Sequence, residues 1–248
     1  MNHKNKTLEQ KVLAAEGCQG CEDMFAKHAI MHAAGQTREE LDTMWVSGED
    51  DLFWSHNFGC MTNRAGVYKG WADGLARNAD YYYAQLVEVY PEVAGRDPRA
   101  LMECAVHMLA SGIIEVSDDG KTGRASWYTP GIIFSTLNPE QKREGAWIWE
   151  RYGIDFMLED GQWKIYHQHV CQDFVKQVDY ENLAHAEYEA LLHPDTNQRG
   201  HVFPPFVNIP GPAYFKYTPV QTVQNTVPWP KEYESLDEHN TYAKPVCE

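Results

Sequence analysis

The stretch Ile154-Asp155-Phe156-Met157-Leu158-Glu159-Asp160-Gly161-Gln162-Trp163-Lys164-Ile165-Tyr166-His167-Gln168-His169 decides the fold. Asp160-Gly161 tolerates the positive φ of a type I′ turn, and residues that alternate in polarity flank it on both sides. It reads as a hairpin joining strands from Gly145 to Leu158 and from Trp163 to Cys171. With Asp160 and Gly161 as the loop, Glu159 faces Gln162, Leu158 faces Trp163, Phe156 faces Ile165, Ile154 faces His167, and Tyr152 faces His169. Directly opposed residues share a face of the sheet. That face carries Ile148, Tyr152, Ile154, Phe156, Leu158, Trp163, Ile165, His167 and His169 and predicts the inner side, apolar at the turn end and polar at the far end. The other side carries Arg151, Asp155, Lys164 and Gln168 with Trp147, Trp149 and Tyr166. A slip of one residue would exchange the two faces.

Working outward, His107 to Val116 reads as a strand, Asp118-Asp119-Gly120 as a turn, and Arg124 to Phe134 as the antiparallel partner. The first half of the chain has helical period instead. A helix is predicted from Glu22 to Ala34, with Phe25, Ala29 and His32 on one face and Gly35 as its stop. Thr37-Arg38-Glu39-Glu40 has the spacing of a capping box and opens a short helix with Leu41, Met44 and Trp45 inside. Asp51 to Met61 reads as extended, with Leu52, Trp54, His56 and Phe58 on one side, and a third helix spans Trp71 to Val89 before Pro91. Three helices followed by a meander of long strands predict an α+β fold with the helices on one face of a curved antiparallel sheet. The division is a polar extension over 1–20, a domain over 21–175, and over 176–248 a helix to about Leu192 followed by an extended arm rich in proline and aromatics.

Composition narrows the function classes. The 248 residues carry 21 Lys+Arg against 36 Asp+Glu, a net charge of −15, which argues against nucleic acid or anionic membrane as partners. No apolar run reaches the length of a membrane span, and the N-terminus lacks the apolar core of a secretory signal, so a cytoplasmic protein is the expectation. Six scattered cysteines do not form a disulfide scaffold, and Cys18-Gln19-Gly20-Cys21 lacks the second ligand pair that a zinc site wants. His28 and His32 stand four apart on the first helix without an intervening acid, which disfavours zinc there too. No G-x-G-x-x-G, P-loop or G-x-S-x-G is present, so hydride transfer, phosphoryl transfer and esterase-type chemistry lack support. What the sequence does hold in quantity is 14 Tyr, 8 Trp, 9 Phe and 11 His, side chains suited to small-molecule pockets.

The order of elements, the D-G-x-W-x-I hairpin Asp160-Gly161-Gln162-Trp163-Lys164-Ile165, and a histidine, His107, opening the preceding strand resemble the SnoaL-like branch of the nuclear transport factor 2 (NTF2)-like superfamily, with its scytalone dehydratase-like enzymes. The resemblance covers roughly Cys21 to Phe174 and implies a cone, a curved sheet wrapped around helices with a pocket at one end. It implies cofactor-free dehydratase, isomerase, cyclase or lyase chemistry, or a binding or assembly module, because fold alone does not fix function. It also implies an acid–base role for His107, and it places Asp51 where such proteins often carry an acid, although Glu49-Asp50-Asp51 reads equally as a solvated loop.

Imidazole serves as acid or base near neutrality with little tuning. The expected catalytic set is therefore His107, His169, Tyr152 and His32, with Tyr152 steadying a negative oxygen. His167, His56, Trp54, Trp45, Trp127 and Tyr128 are expected to line the substrate, with no metal and no cofactor. The reading is a lyase or dehydratase for a hydroxylated aromatic, aryl-propanoid-like or polycyclic small molecule; the alternatives are an isomerase or cyclase, or a non-catalytic module. Trp147, Trp149, Met157, Tyr166 and Val170 on the outer hairpin face predict a homo-oligomer, whose C-terminal arm crosses to a neighbour, caps the pocket or folds back on its own subunit.

Overall fold

A computed structural model describes residues 6–57, 59–74, 103–135, 144–178, 209–210, 230–231 and 233–243, with isolated positions between 83 and 95. The elements are α1 (Leu8–Ala33), α2 (Thr37–Met44), β1 (Phe53–His56), β2 (Gly59–Thr62), α3 (Asn63–Val67) running into a π-helical turn (Tyr68–Ala72), β3 (Glu103–His107), β4 (Ala110–Val116), β5 (Thr122–Ser135), β6 (Glu144–Glu159), β7 (Gln162–Val178) and β8 (Ile209–Pro210). The architecture is α+β, a curved and unclosed sheet with helices against it, as the alternation of periods predicts. Sheet order is β3-β5-β6-β7-β1-β2-β8, with β4 also paired to β5. No helix among the described residues is long and apolar enough to cross a membrane.

The central hairpin forms where the sequence places it. Asp160 and Gly161 adopt φ of 51° and 75°, the pair of positive values that a type I′ turn demands. Glu159↔Gln162, Leu158↔Trp163 and Phe156↔Ile165 pair as expected. Beyond that point the register changes. The next pair is Asp155↔His167, which leaves Tyr166 as an extra residue in β7, and a second shift separates Trp149 from Glu150. A β-bulge of this kind reverses the faces of everything after it on the bulged strand. Ile154 therefore faces Gln168 and Tyr152 faces Val170, not His167 and His169. Val170 turns inward and is buried, so it leaves the outer strip to which the sequence assigned it.

Other boundaries move as well. α1 begins at Leu8, not Glu22, because Thr7 caps it: its side chain accepts from the Gln10 amide while Gln10 reaches back to the Thr7 amide. Residues 8–20 are thus half of a long helix rather than a loosely attached extension. The Thr37 capping box does not form; Gln36 holds the N-cap position without a side-chain bond, and Glu40 turns into the core. The expected single extended stretch from Asp51 to Met61 folds as the β1–β2 hairpin, and β1 lies parallel to β7 in the register Phe53↔His167, Trp54↔Gln168. His107 ends β3 instead of opening a strand, since two residues without strand structure separate it from β4. The third helix starts at Asn63; most of its expected span, and the helix expected over 179–192, lie outside the described residues.

The core sits between α1, α2 and the inner sheet face. Phe25, Leu41, Trp45, Trp54, Ile154, Phe156 and Ile165 are fully buried there, at roughly 1.5–3 kcal/mol for each large side chain. α1 approaches the sheet closely because Gly20 has no side chain where it meets the Trp163 ring. Cys18 and Cys21 lie inside this helix, and burial raises both thiols, the opposite of what a redox motif needs. The described end of the arm folds back on its own subunit. Asp155, buried on the outer face, accepts from the Thr241 hydroxyl (2.6 Å), the Tyr242 amide (2.8 Å) and His167 Nδ1 (2.9 Å), while Arg124 lies beside it and over the Tyr242 ring.

Candidate active site

Residues three and four apart on α1 put Phe25, His28 and His32 in one row. Their rings stack, with centroids 4.8 Å apart for Phe25–His28 and 5.7 Å for His28–His32. The row continues onto two other elements: His32 stacks on His107 of β3 at 5.2 Å and on Trp71 of the π turn at 5.3 Å. Trp71 stacks in turn on Trp54 of β1 (4.6 Å), and Trp54 on His56 (5.7 Å). Trp127 of β5 packs on Phe25, and Tyr152 lies edge-on to it.

Two buried carboxyl groups organise these rings. Glu40 of α2 accepts from His28 Nδ1 (2.9 Å) and from the Trp45 indole (3.1 Å), and Gln168 Nε2 approaches the other His28 nitrogen at 3.4 Å. Glu150 of β6 is the second. Its Oε2 accepts from the Tyr152 hydroxyl (3.0 Å) and lies 3.3 Å from His107 Nδ1. Its Oε1 accepts from Gln172 (3.2 Å) and lies 3.6 Å from His56 Nε2. Period 2 along β6 puts Glu150, Tyr152 and Ile154 on the same inner face.

These surroundings set the charges. Burial pushes the Glu150 carboxyl up, but the nearby His56 and His107 rings and the Tyr152 hydroxyl outweigh it and hold it down to about 2. Burial lowers His107 against the pull of Glu150, with His28 and His56 adding to the fall. His32 lies well below the ordinary histidine range, through burial first and then through His107 and His28. At neutral pH Glu150 is therefore ionised and the His32 and His107 rings are neutral. Tyr152 is pushed up by burial and by Glu150, so it keeps its proton.

Of the residues anticipated from sequence, His107, His32, Tyr152, His56, Trp54 and Trp127 converge here. Trp45 stands behind them, tied to Glu40. His169 and His167 do not join. The Tyr166 bulge turns them to the other face, where His169 meets Ser55 and His167 meets Asp155. Burial, with His56 and Arg151, lowers His169 to about 4. Tyr128 alternates with Trp127 along β5, so it points outward, exposed, beside Trp149. Asp51 is exposed and accepts from the Tyr166 hydroxyl at 2.5 Å. Tyr152 also has a different role from the one expected: its only proton is given to Glu150, so it positions that carboxylate instead of holding a substrate oxygen. Sequence reasoning missed Glu40, Glu150 and Trp71. Glu150 was findable, since strand alternation puts it two residues from Tyr152. Glu40 was masked by its capping-box spacing. Among the described residues no group of three or more His, Cys, Asp or Glu is arranged to hold a metal ion.

No family model and no curated protein matches the chain. Solved structures do. The hexachlorocyclohexane dehydrochlorinase LinA-type3 of Novosphingobium barchaimii LL02 aligns over 67% of this chain and 92% of its own at 12% identity and TM-score 0.43. A candidate scytalone dehydratase of Novosphingobium aromaticivorans DSM 12444 aligns over 68% and 90% at 16% identity and TM-score 0.45. An NTF2-like protein with a cystatin-like fold, from Novosphingobium aromaticivorans, aligns over 64% and 82% at 16% identity and TM-score 0.38. These are likenesses of fold alone, at low identity.

Proposed function

We propose that the protein is a cofactor-independent lyase or dehydratase for a hydroxylated aromatic or polycyclic small molecule. The observation that carries this reading is the stacked pair His32–His107, two imidazoles held neutral beside the ionised Glu150. His107 removes a proton from carbon, and the charge it gains is stabilised by Glu150, whose Oε2 faces its Nδ1. His32, stacked on His107 with ring centroids 5.2 Å apart, donates its N–H to the departing oxygen while the protonated His107 returns the proton to it, so that the oxygen leaves as water. Glu40 and Tyr152 act at one remove, Glu40 by orienting His28 under the pair and Tyr152 by orienting Glu150. The Trp54, Trp71, Trp127 and Phe25 rings favour an aromatic substrate.

The test is incubation of purified protein with a panel of hydroxylated aromatic and polycyclic compounds, followed by mass spectrometry of the products. Loss of water or of a fragment that His107→Ala slows by about 10²–10⁴ supports the reading. Product of unchanged mass points to isomerisation, and turnover indifferent to His107 and His32 ends the assignment. We also propose self-association through the exposed, stacked Trp149 and Phe174 with Tyr128 and Trp147 on the outer sheet face, and light scattering that finds a 28.4 kDa monomer at micromolar concentration removes it.

A further inference from the structure

A substrate oxygen in this site needs a donor, and Tyr152 has already given its proton to Glu150. The indole N–H of Trp71 remains. Trp71 lies in the π turn Tyr68–Ala72, which follows α3 without a break. Such a turn adds a residue to the helical ladder at some cost in stability, and it recurs where a side chain must be re-aimed for function. The ring is nine-tenths buried, and its plane is fixed by stacking on Trp54 (4.6 Å, 30°) and on His32 (5.3 Å, 24°). Its Nε1 is buried without a hydrogen-bond partner among the described residues, and so is Nδ1 of the adjoining His32. An indole nitrogen only donates, and a buried donor left unmade is destabilising, so an acceptor that arrives with a ligand recovers that loss.

We propose that Trp71 is the specificity-determining donor of the site: its N–H binds an acceptor oxygen, a ketone carbonyl or a hydroxyl, carried by an aromatic ligand, and so sets that oxygen beside His32 and His107. The inference rests on the acid–base reading for the location of the site and adds the substrate feature it selects. A fixed donor aimed at an oxygen also stabilises negative charge that develops there when a neighbouring carbon loses a proton to His107. The same geometry rejects a hydrocarbon of equal shape, which leaves the N–H unpaired.

The experiment compares acetophenone with α-methylstyrene, in which a methylene group replaces the carbonyl oxygen at nearly the same shape. The full-length chain is labelled with ¹⁵N at the indole nitrogens, and the Trp71 signal is identified by its absence in Trp71→Phe. Acetophenone should move that signal downfield and α-methylstyrene should not. Trp71→Phe should weaken acetophenone by about 5–15-fold while α-methylstyrene stays within about twofold. Equal loss for both ligands, an unchanged acetophenone affinity in Trp71→Phe, or no acetophenone binding to the wild type overturns the proposal. Because the readout is equilibrium binding, the contrast should persist in His107→Ala; a protein that shows it yet turns nothing over loses the lyase reading and keeps this one.

Discussion

His107 and Glu150 reach each other across β5, from strands that flank it on either side, with His107 Nδ1 3.3 Å from Glu150 Oε2. His107 pairs with Gly131, and Gly131 with Ile148, one inner-face position along β6 from Glu150. Gly131 lets β3 come close to β5, since a side chain there would meet the Val106 carbonyl and the His107 backbone. The relationship gives the site its polarity, a fixed negative charge behind a neutral base.

Glu150→Gln removes that charge while keeping the shape. Glu150 supports the protonated form of His107, so its loss should lower the His107 pKa further, and the Tyr152 hydroxyl, which Glu150 holds up, should fall. Histidine Cε1 proton shifts followed against pH would show it, with the His107 signal assigned by His107→Asn. An unchanged or raised His107 midpoint contradicts the geometry.

His169 gives a stability signature. Its pKa is about 4 in the folded chain and near 6.5 when unfolded, so acidification protonates the unfolded state first. Its contribution is complete above pH 6.5 and fades as pH falls toward 4, on the order of 3 kcal/mol in all. Glu150, depressed to about 2 from 4.5, acts only lower down, as pH falls from 4.5 toward 2. The thermal midpoint of the wild type should therefore drop between pH 6.5 and 4 more steeply than that of His169→Asn. Parallel curves would show that His169 titrates normally.

Gly20→Ala tests how α1 meets the sheet. In an exposed helix the change gains up to about 1 kcal/mol. Here the new methyl group would collide with the Trp163 ring, an overpacking cost of about 1–3 kcal/mol. Urea denaturation should find a net loss, relieved when Trp163→Leu is added. A stabilised single variant would mean that the ring yields freely.

Asp155 anchors Thr241 and Tyr242. Asp155→Ala leaves Arg124 buried without its carboxylate and should cost about 3–5 kcal/mol. Thr241→Val removes one donor and should cost about 1 kcal/mol. Denaturation midpoints in that order support the anchoring of Thr241 and Tyr242 on Asp155. Equal costs would show that the carboxylate draws its stability from elsewhere.

The sequence by itself determined what is local. Period 2 over 145–171 and the positive-φ pair Asp160-Gly161 specify the hairpin, and period 3.6 around Phe25, His32 and Leu41 specifies the helices. Both follow from the backbone preferences of a few adjacent residues. The sequence also put forward His107, His32 and Tyr152, which the fold brings together, since buried polar rings in an apolar face need partners. Tertiary structure alone decided the register past Tyr166. There β7 must pair with β6 on one side and β1 on the other, while the Tyr166 hydroxyl reaches Asp51, 115 residues away in sequence. No residue near Tyr166 announces that demand, and a single extra residue moves two histidines to the opposite face. Glu40 and Glu150 were undecided for the same reason: a carboxylate reads as solvent-facing until the partners that neutralise it arrive from distant strands and helices.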